Sequence, residues 1–175
     1  MDFESILADS SKLLAEQTAK VVGNNEVYFR ELMQIALLDK HRLSPRAANV
    51  AEFCCSKYPE LVQSFIPQII DSLTWIQNDG VKRIFLKILT RNSCPSDEQL
   101  MTRLLNLCFN YLVSPNEKPA VKHYSMMILF DISNIVPELK NELIIVIEDQ
   151  YHKNTQAFMA MGKRMLKKLH KEIKS

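Results

Sequence analysis

Three stretches of this chain share one pattern of apolar residues: PELVQSFIPQIIDSL at 59–73, EQLMTRLLNLCFNYL at 98–112 and PELKNELIIVIEDQY at 137–151. Each stretch begins 39 residues after the previous one. Their shared positions, spaced i, i+4, i+5, i+8 and i+12, fall on one stripe of an α-helix. The pattern therefore predicts three helices with the same buried face, formed by Leu61, Phe65, Ile66, Ile69 and Leu73, then Leu100, Leu104, Leu105, Cys108 and Leu112, then Leu139, Leu143, Ile144, Ile147 and Tyr151.

Helix start and stop signals outside these stretches predict further helices. Ser44 is expected to cap a helix that has Pro45 at its first position, and Ser96 is expected to cap another. Pro67 should bend its helix or break the first turn. Short loops make successive helices antiparallel neighbours. We expect nine helices: from 10 or 11 to 22, 25–39, 44–58, 59–76, 79–92, from 96 onward, 119–135, 137–151 and 155–173.

Composition narrows the possible functions. The chain has 175 residues and three glycines, too few and too scattered for a phosphate-binding loop. No apolar run approaches the length of a membrane span, and the acidic start does not resemble a secretory signal. The four cysteines lack zinc-site spacing. We therefore expect a cytoplasmic domain with reduced, mostly buried cysteines, without a metal or cofactor and without a catalytic motif.

A helix pair that recurs every 39 residues resembles HEAT and armadillo repeats. The resemblance is carried by Asp79, Val81 and Lys82 at the start of one first helix, and by Val121 and Lys122 at the start of the next. HEAT repeats often have an acidic residue before a Val-Arg pair, but here Lys replaces Arg. The acidic residue of the next repeat, Glu117, lies four residues before Val121.

The resemblance implies an all-α chain folded as a short right-handed α-solenoid of about nine helices in antiparallel pairs. We expect one domain over 1–175, with N-terminal capping helices over 1–43, three helix-pair repeats over 44–151 and a basic capping helix over 152–175. The alternative is an irregular helical bundle in which the periodicity is accidental.

Positive charge is concentrated in the last predicted helix. Residues 152–175 carry seven Lys and Arg against one Glu, whereas the rest of the chain carries fifteen against nineteen acidic residues. Such a split is found in proteins that bind nucleic acid, an acidic protein or a membrane surface, and it is also typical of a solvated capping helix. The candidate interaction surface consists of Lys163, Arg164, Lys167, Lys168, Lys171 and Lys174.

A second, weaker candidate site is formed by Trp75, the only tryptophan, and Asp71 one turn before it. HEAT-like DNA glycosylases use an acidic residue and aromatic residues on a basic concave face, so this resemblance favours Asp71 and Trp75 as the first place to look. The simpler interpretation is that Trp75 closes the end of its helix against the following repeat.

Two functions follow as hypotheses, and a third, weaker one is electrostatic docking on an acidic surface by the last predicted helix alone. The first is a non-enzymatic scaffold that binds another protein, and the second is a nucleic-acid-binding relative of the DNA alkylation repair glycosylases. The second requires a basic concave face near Trp75, formed by Lys82, Arg83, Lys87, Arg103 and Lys122.

Overall fold

In the computed structural model, residues 1–8, 11–92 and 94–173 are described, and helices account for the regular structure of these residues, with no strand among them. One 3-10 helix spans Pro59–Phe65. The α-helices are α1 Phe3–Ile6, α2 Lys12–Val22, α3 Glu26–Leu37, α4 Leu43–Lys57, α5 Ile66–Ser72, α6 Asp79–Leu89, α7 Glu98–Val113, α8 Pro119–Ile135, α9 Leu139–Tyr151 and α10 Gln156–Ile173.

Polar side chains cap the starts of several helices. Ser11 Oγ accepts from the Leu14 amide at 3.1 Å and Asn25 Oδ1 accepts from the Tyr28 amide at 3.0 Å. These bonds satisfy amide groups that have no partner within the helix. The predicted starts near Ser11 and Asn25 are therefore confirmed.

Two predicted caps are wrong. Asp97, one residue after Ser96, caps α7 and accepts from the Leu100 amide at 2.7 Å. Ser44 lies inside α4 and is fully buried. Its hydroxyl donates to the Ile35 carbonyl at 2.7 Å and accepts from the Lys40 amide at 2.9 Å. Ser44 therefore closes the loop between α3 and α4, a role that depends on the preceding helix and not on local spacing.

Pro67 separates two kinds of helix. The segment before it forms the 3-10 helix, and Pro67 lies in the first turn of α5, where its missing N–H removes no helical bond. The predicted break is confirmed. The predicted end near Ile76 is wrong, because α5 ends at Ser72 and is followed by a turn. The one-turn helix α1 was not predicted.

The repeated stripe lies in the core. All fifteen of its positions are buried or half-buried, including Ile69, Cys108 and Ile147, which are each inaccessible to solvent. Burial of equivalent positions explains why the same apolar stripe recurs on three helices at intervals of 39 residues. In a stack of helix pairs, each such stripe packs against neighbouring helices.

The chain divides into two compact units, Met1–Ser93 and Cys94–Ser175. In the first unit α2 packs on α4, and α4 packs on α6. In the second unit α7 packs on α9, and α8 packs on α10. Contact between helices that are two apart in the chain is typical of stacked helix pairs. The division into capping segments 1–43 and 152–175 around repeats 44–151 stays a prediction.

Glycine at 162 allows α10 to approach α9 closely. A Cβ atom at this position would lie 3.2 Å from Ile147 Cγ2 and 3.4 Å from Tyr151 Cδ2. Because Gly162 lies against α9, its side of α10 faces the core and the lysine-rich side faces solvent.

Candidate functional site

The loops before α4 and α6 are joined by Asp39. Its carboxylate accepts from the backbone amides of Gln77, at 2.9 Å, and Asn78, at 3.2 Å. Asn78 in turn caps α6 and donates from Nδ2 to the His41 carbonyl at 3.0 Å. Asp39 and Asn78 are 39 residues apart, so these bonds join two loops that are separated by the same interval as the repeated stripe.

A buried carboxylate joins α4 to α6. Glu52 is 4% exposed, and its Oε1 accepts from Lys87 Nζ at 3.0 Å and from Arg91 Nη1. Burial of a carboxylate is costly unless cations and hydrogen bonds compensate it, as Lys87 on α6 and Arg91 in the turn after α6 do here. Lys87 and Arg91 are therefore committed to a structural ion pair.

In the second unit, the buried Lys122 joins α8 to the loop before α10. Its side chain is buried, its Nζ donates to Asn154 Oδ1 at 2.6 Å, and it lies 5.8 Å from the centre of the Phe158 ring. Burial lowers the pKa of Lys122, although the nearby Glu117 opposes the change. Lys82, the matching residue of the earlier repeat, is also buried. The two lysines that carried the family resemblance are thus core residues.

The basic side of α10 is exposed. Lys163, Arg164 and Lys167 are exposed, and within the described residues none of the three forms an ion pair with a carboxylate. Lys174 lies outside the described residues. We use the name α10 basic face for the exposed cations Lys163, Arg164, Lys167, Lys168 and Lys171.

The opposite side of α10 is buried. Phe158, Met161, Gly162, Met165 and Leu169 on this side are all buried, and α10 packs against both α8 and α9. The helix is therefore held in place by its apolar side while its cations face solvent.

Two residues of α8 lie beside the α10 basic face. Lys168 Nζ lies 5.5 Å from the centre of the half-buried Phe130 ring, a cation–π distance. Partial burial, and then the positive charge of Arg164, lower the pKa of the half-buried His123 below 6.5. His123 and Phe130 were not among the predicted site residues, because they lie in a different segment and only packing brings them to α10.

Acidic groups also lie at this surface. Lys140 Nζ forms an ion pair with Glu172 at 2.8 Å, which joins α9 to the end of α10. Asp131 lies near Lys168, and its pKa is raised by desolvation in spite of that charge. The surface is therefore predominantly but not uniformly positive.

The alternative site at Asp71 and Trp75 has a different environment from the one expected. Trp75 lies in the turn after α5 and is 50% exposed, so it does not close the helix end as a buried side chain. Asp71 is exposed in the last turn of α5. Three of the lysines expected on the basic face are not freely exposed, because Lys82 and Lys122 are buried and Lys87 is paired with Glu52.

The remaining reactive groups lie mostly in the core. Burial raises the pKa of each of the Cys54, Cys55 and Cys108 thiols to about 12, and all four cysteines are free. Among the described side chains, no group of three His, Cys, Asp or Glu residues could hold a metal ion. In the same part of the chain, no helix combines the length and apolar character needed to cross a bilayer.

Comparison with known proteins agrees with this architecture. The model of the HEAT repeat domain matches residues 5–169, nearly the whole chain. No curated protein and no solved structure matches the chain. The matched range includes α2 to α9 and most of α10, so the stacked helix pairs described above are the repeats of that family. The chain therefore belongs to the HEAT repeat family.

Proposed function

We propose that this protein is a non-enzymatic HEAT-repeat module that binds another protein. One observation carries the proposal: the polar side chains at the helix interfaces are used to join helices, whereas the α10 basic face is exposed and rigidly supported. Asp39, Glu52 and Lys122 each bond to the following repeat or helix. A surface of this kind is suited to recognition of a charged partner.

The second hypothesis, binding of nucleic acid by a basic face near Trp75, is not favoured by the same contacts. Duplex binding requires several lysines or arginines that reach phosphates. Lys82 and Lys122 are buried, and Lys87 pairs with Glu52. Arg83 and Arg103 are exposed, but two arginines do not make such a face.

We propose a reducing compartment, such as the cytoplasm, as the place where the protein works. The support is chemical: Cys54 and Cys55 are adjacent and buried, Cys108 is buried in the other unit, and none is bonded to another cysteine. Buried thiols of this kind behave as small apolar side chains.

The test is affinity capture from lysate of the native organism, after lysine-directed cross-linking, with and without nuclease. We expect a protein to be captured in constant ratio with the tagged chain in both samples. Cross-linked peptides should identify the contact region. Capture that disappears after nuclease treatment would support the nucleic-acid hypothesis and contradict the proposal.

A further inference from the structure

We propose that the α10 basic face and the adjoining edge of α8 bind an acidic segment of a partner protein that carries at least one apolar side chain. This inference rests on the proposed function as a protein-binding module and adds the chemistry of the partner. We use the name docking strip for the following residues: Lys163, Arg164, Lys167, Lys168 and Lys171 of α10, together with His123 and Phe130 of α8.

The cations of the docking strip are arranged in rows along the helix. Lys163, Lys167 and Lys171 recur every four residues, and Arg164 and Lys168 form a second row beside them. From residue 163 to residue 171 the helix rises roughly 12 Å, a length over which an extended or helical peptide can present several carboxylates. Because α10 is held by its buried apolar side, binding would not require the helix to become ordered.

Phe130 adds an apolar element to the docking strip. Its ring is half-buried and lies under the ammonium group of Lys168. A carboxylate that paired with Lys168 would bring its neighbouring side chain close to the edge of this ring. The strip therefore suits an acidic segment that includes an apolar residue better than a uniformly charged polymer.

The same contacts argue against nucleic acid at the docking strip. Single strands bind by stacking bases on aromatic rings, and here Lys168 already occupies a face of Phe130.

The packing of α10 also argues against a membrane. A helix that binds a bilayer inserts its apolar side between lipids. In α10 this side, which includes Phe158, Met165 and Leu169, is buried against the protein. Insertion would require α10 to leave α8 and α9.

The experiment measures binding of three probes to the purified full chain. The first probe is a fluorescent Glu-rich peptide with one Phe, and its counterpart has every Glu replaced by Gln. The second is a fluorescent single-stranded oligonucleotide, and the third is a vesicle of phosphatidylcholine with phosphatidylserine. The test variant is Lys163→Glu with Lys167→Glu. The matched control is Lys20→Glu with Lys57→Glu, which changes the net charge equally in the other unit, where both lysines are exposed.

We expect the Glu-rich peptide to bind the wild type and the control variant, and to bind the test variant at least about tenfold more weakly, since two attractive pairs become repulsive. The Gln peptide should not bind. Equal binding of the peptide to test and control variants would overturn the inference, as would tighter binding of the oligonucleotide or the vesicle than of the peptide. Circular dichroism should show both variants folded.

The captured protein of the preceding subsection separates this inference from the proposed function. If the test variant loses that protein and the control retains it, both are supported. If both variants retain it, the module binds a protein through another surface and the docking strip is refuted. If neither the wild type nor a variant captures a protein, the proposed function itself is contradicted.

Discussion

Single polar residues decide how adjacent repeats are joined, and Glu52 is the clearest case. Its carboxylate is buried on α4 and pairs with Lys87 on α6 and with Arg91 in the turn after α6. The attraction is strong here because little water remains around the carboxylate, whereas the cations keep partial contact with solvent.

We expect Glu52→Ala to lower the free energy of unfolding by about 2 kcal/mol, because two cations lose a charged hydrogen-bond partner. Urea unfolding followed by circular dichroism measures the change. Glu16→Ala is the matched control, since Glu16 makes an i,i+4 pair with the exposed Lys12 at 3.6 Å, and should cost less than about 0.5 kcal/mol. A loss of equal size in both variants would show that the Glu52 pairs contribute no more than a surface pair.

His123 makes stability depend on pH. Its pKa in the folded chain is below the ordinary 6.5, first because of burial and second because of Arg164. The unfolded chain therefore takes up this proton at higher pH than the folded chain does, and stability falls as pH falls below the unfolded value.

We expect His123→Gln to reduce the loss in urea midpoint that accompanies acidification from about pH 7 to about pH 5. The midpoints of the wild type and the variant at both pH values give the comparison. His170→Gln, which removes an exposed imidazole from α10, serves as control. An unchanged pH dependence in His123→Gln would rule out this contribution.

Among whole elements, α9 illustrates how the repeated stripe stabilises the fold. Ile147 is fully buried in the stripe, whereas Ile145, two residues earlier, is 65% exposed. The two side chains are chemically identical and lie on the same helix, so they differ only in what surrounds them.

We expect Ile147→Ala to cost about 3 kcal/mol and Ile145→Ala less than about 0.5 kcal/mol. The first substitution leaves a cavity against α10 near Gly162, and the second removes a side chain mainly from water. Urea unfolding measures both values. Similar losses in the two variants would contradict the assignment of the buried stripe.

Over the whole molecule, the cysteines report on folding in each of the two units. Cys54 and Cys55 lie in the core of the first unit and Cys108 in the core of the second. Cys94 is only half-buried. Because the thiolate is the reactive form, a pKa of about 12 and burial both protect the first three.

We expect Ellman's reagent to modify Cys94 first in native buffer, and the other three thiols only when urea unfolds the chain. Absorbance of the released thiol gives the count over time, and Cys94→Ser should remove the first phase. Rapid modification of Cys108 in native buffer would show that the core of the second unit opens readily.

The helical class, most helix boundaries and the stripe at intervals of 39 residues could be predicted from the order of the amino acids alone. These features depend on local capping and on a periodicity that one helix already contains. Examples are the bounds of α8, Pro119–Ile135, and the burial of Ile69, Cys108 and Ile147. The basic side of α10 was predicted for the same reason, since helical spacing separates its lysines from its apolar residues.

The contacts of the polar residues, in contrast, follow from the packing of the helices. Ser44, expected as a cap, joins α3 to α4, and Lys122, expected near a concave face, is buried against Asn154. Phe130 and His123 reach the basic side of α10 because α8 packs on α10. Such contacts depend on which helices lie next to each other. One-dimensional periodicity shows that a side of a helix is buried, but not which residue of another helix covers it.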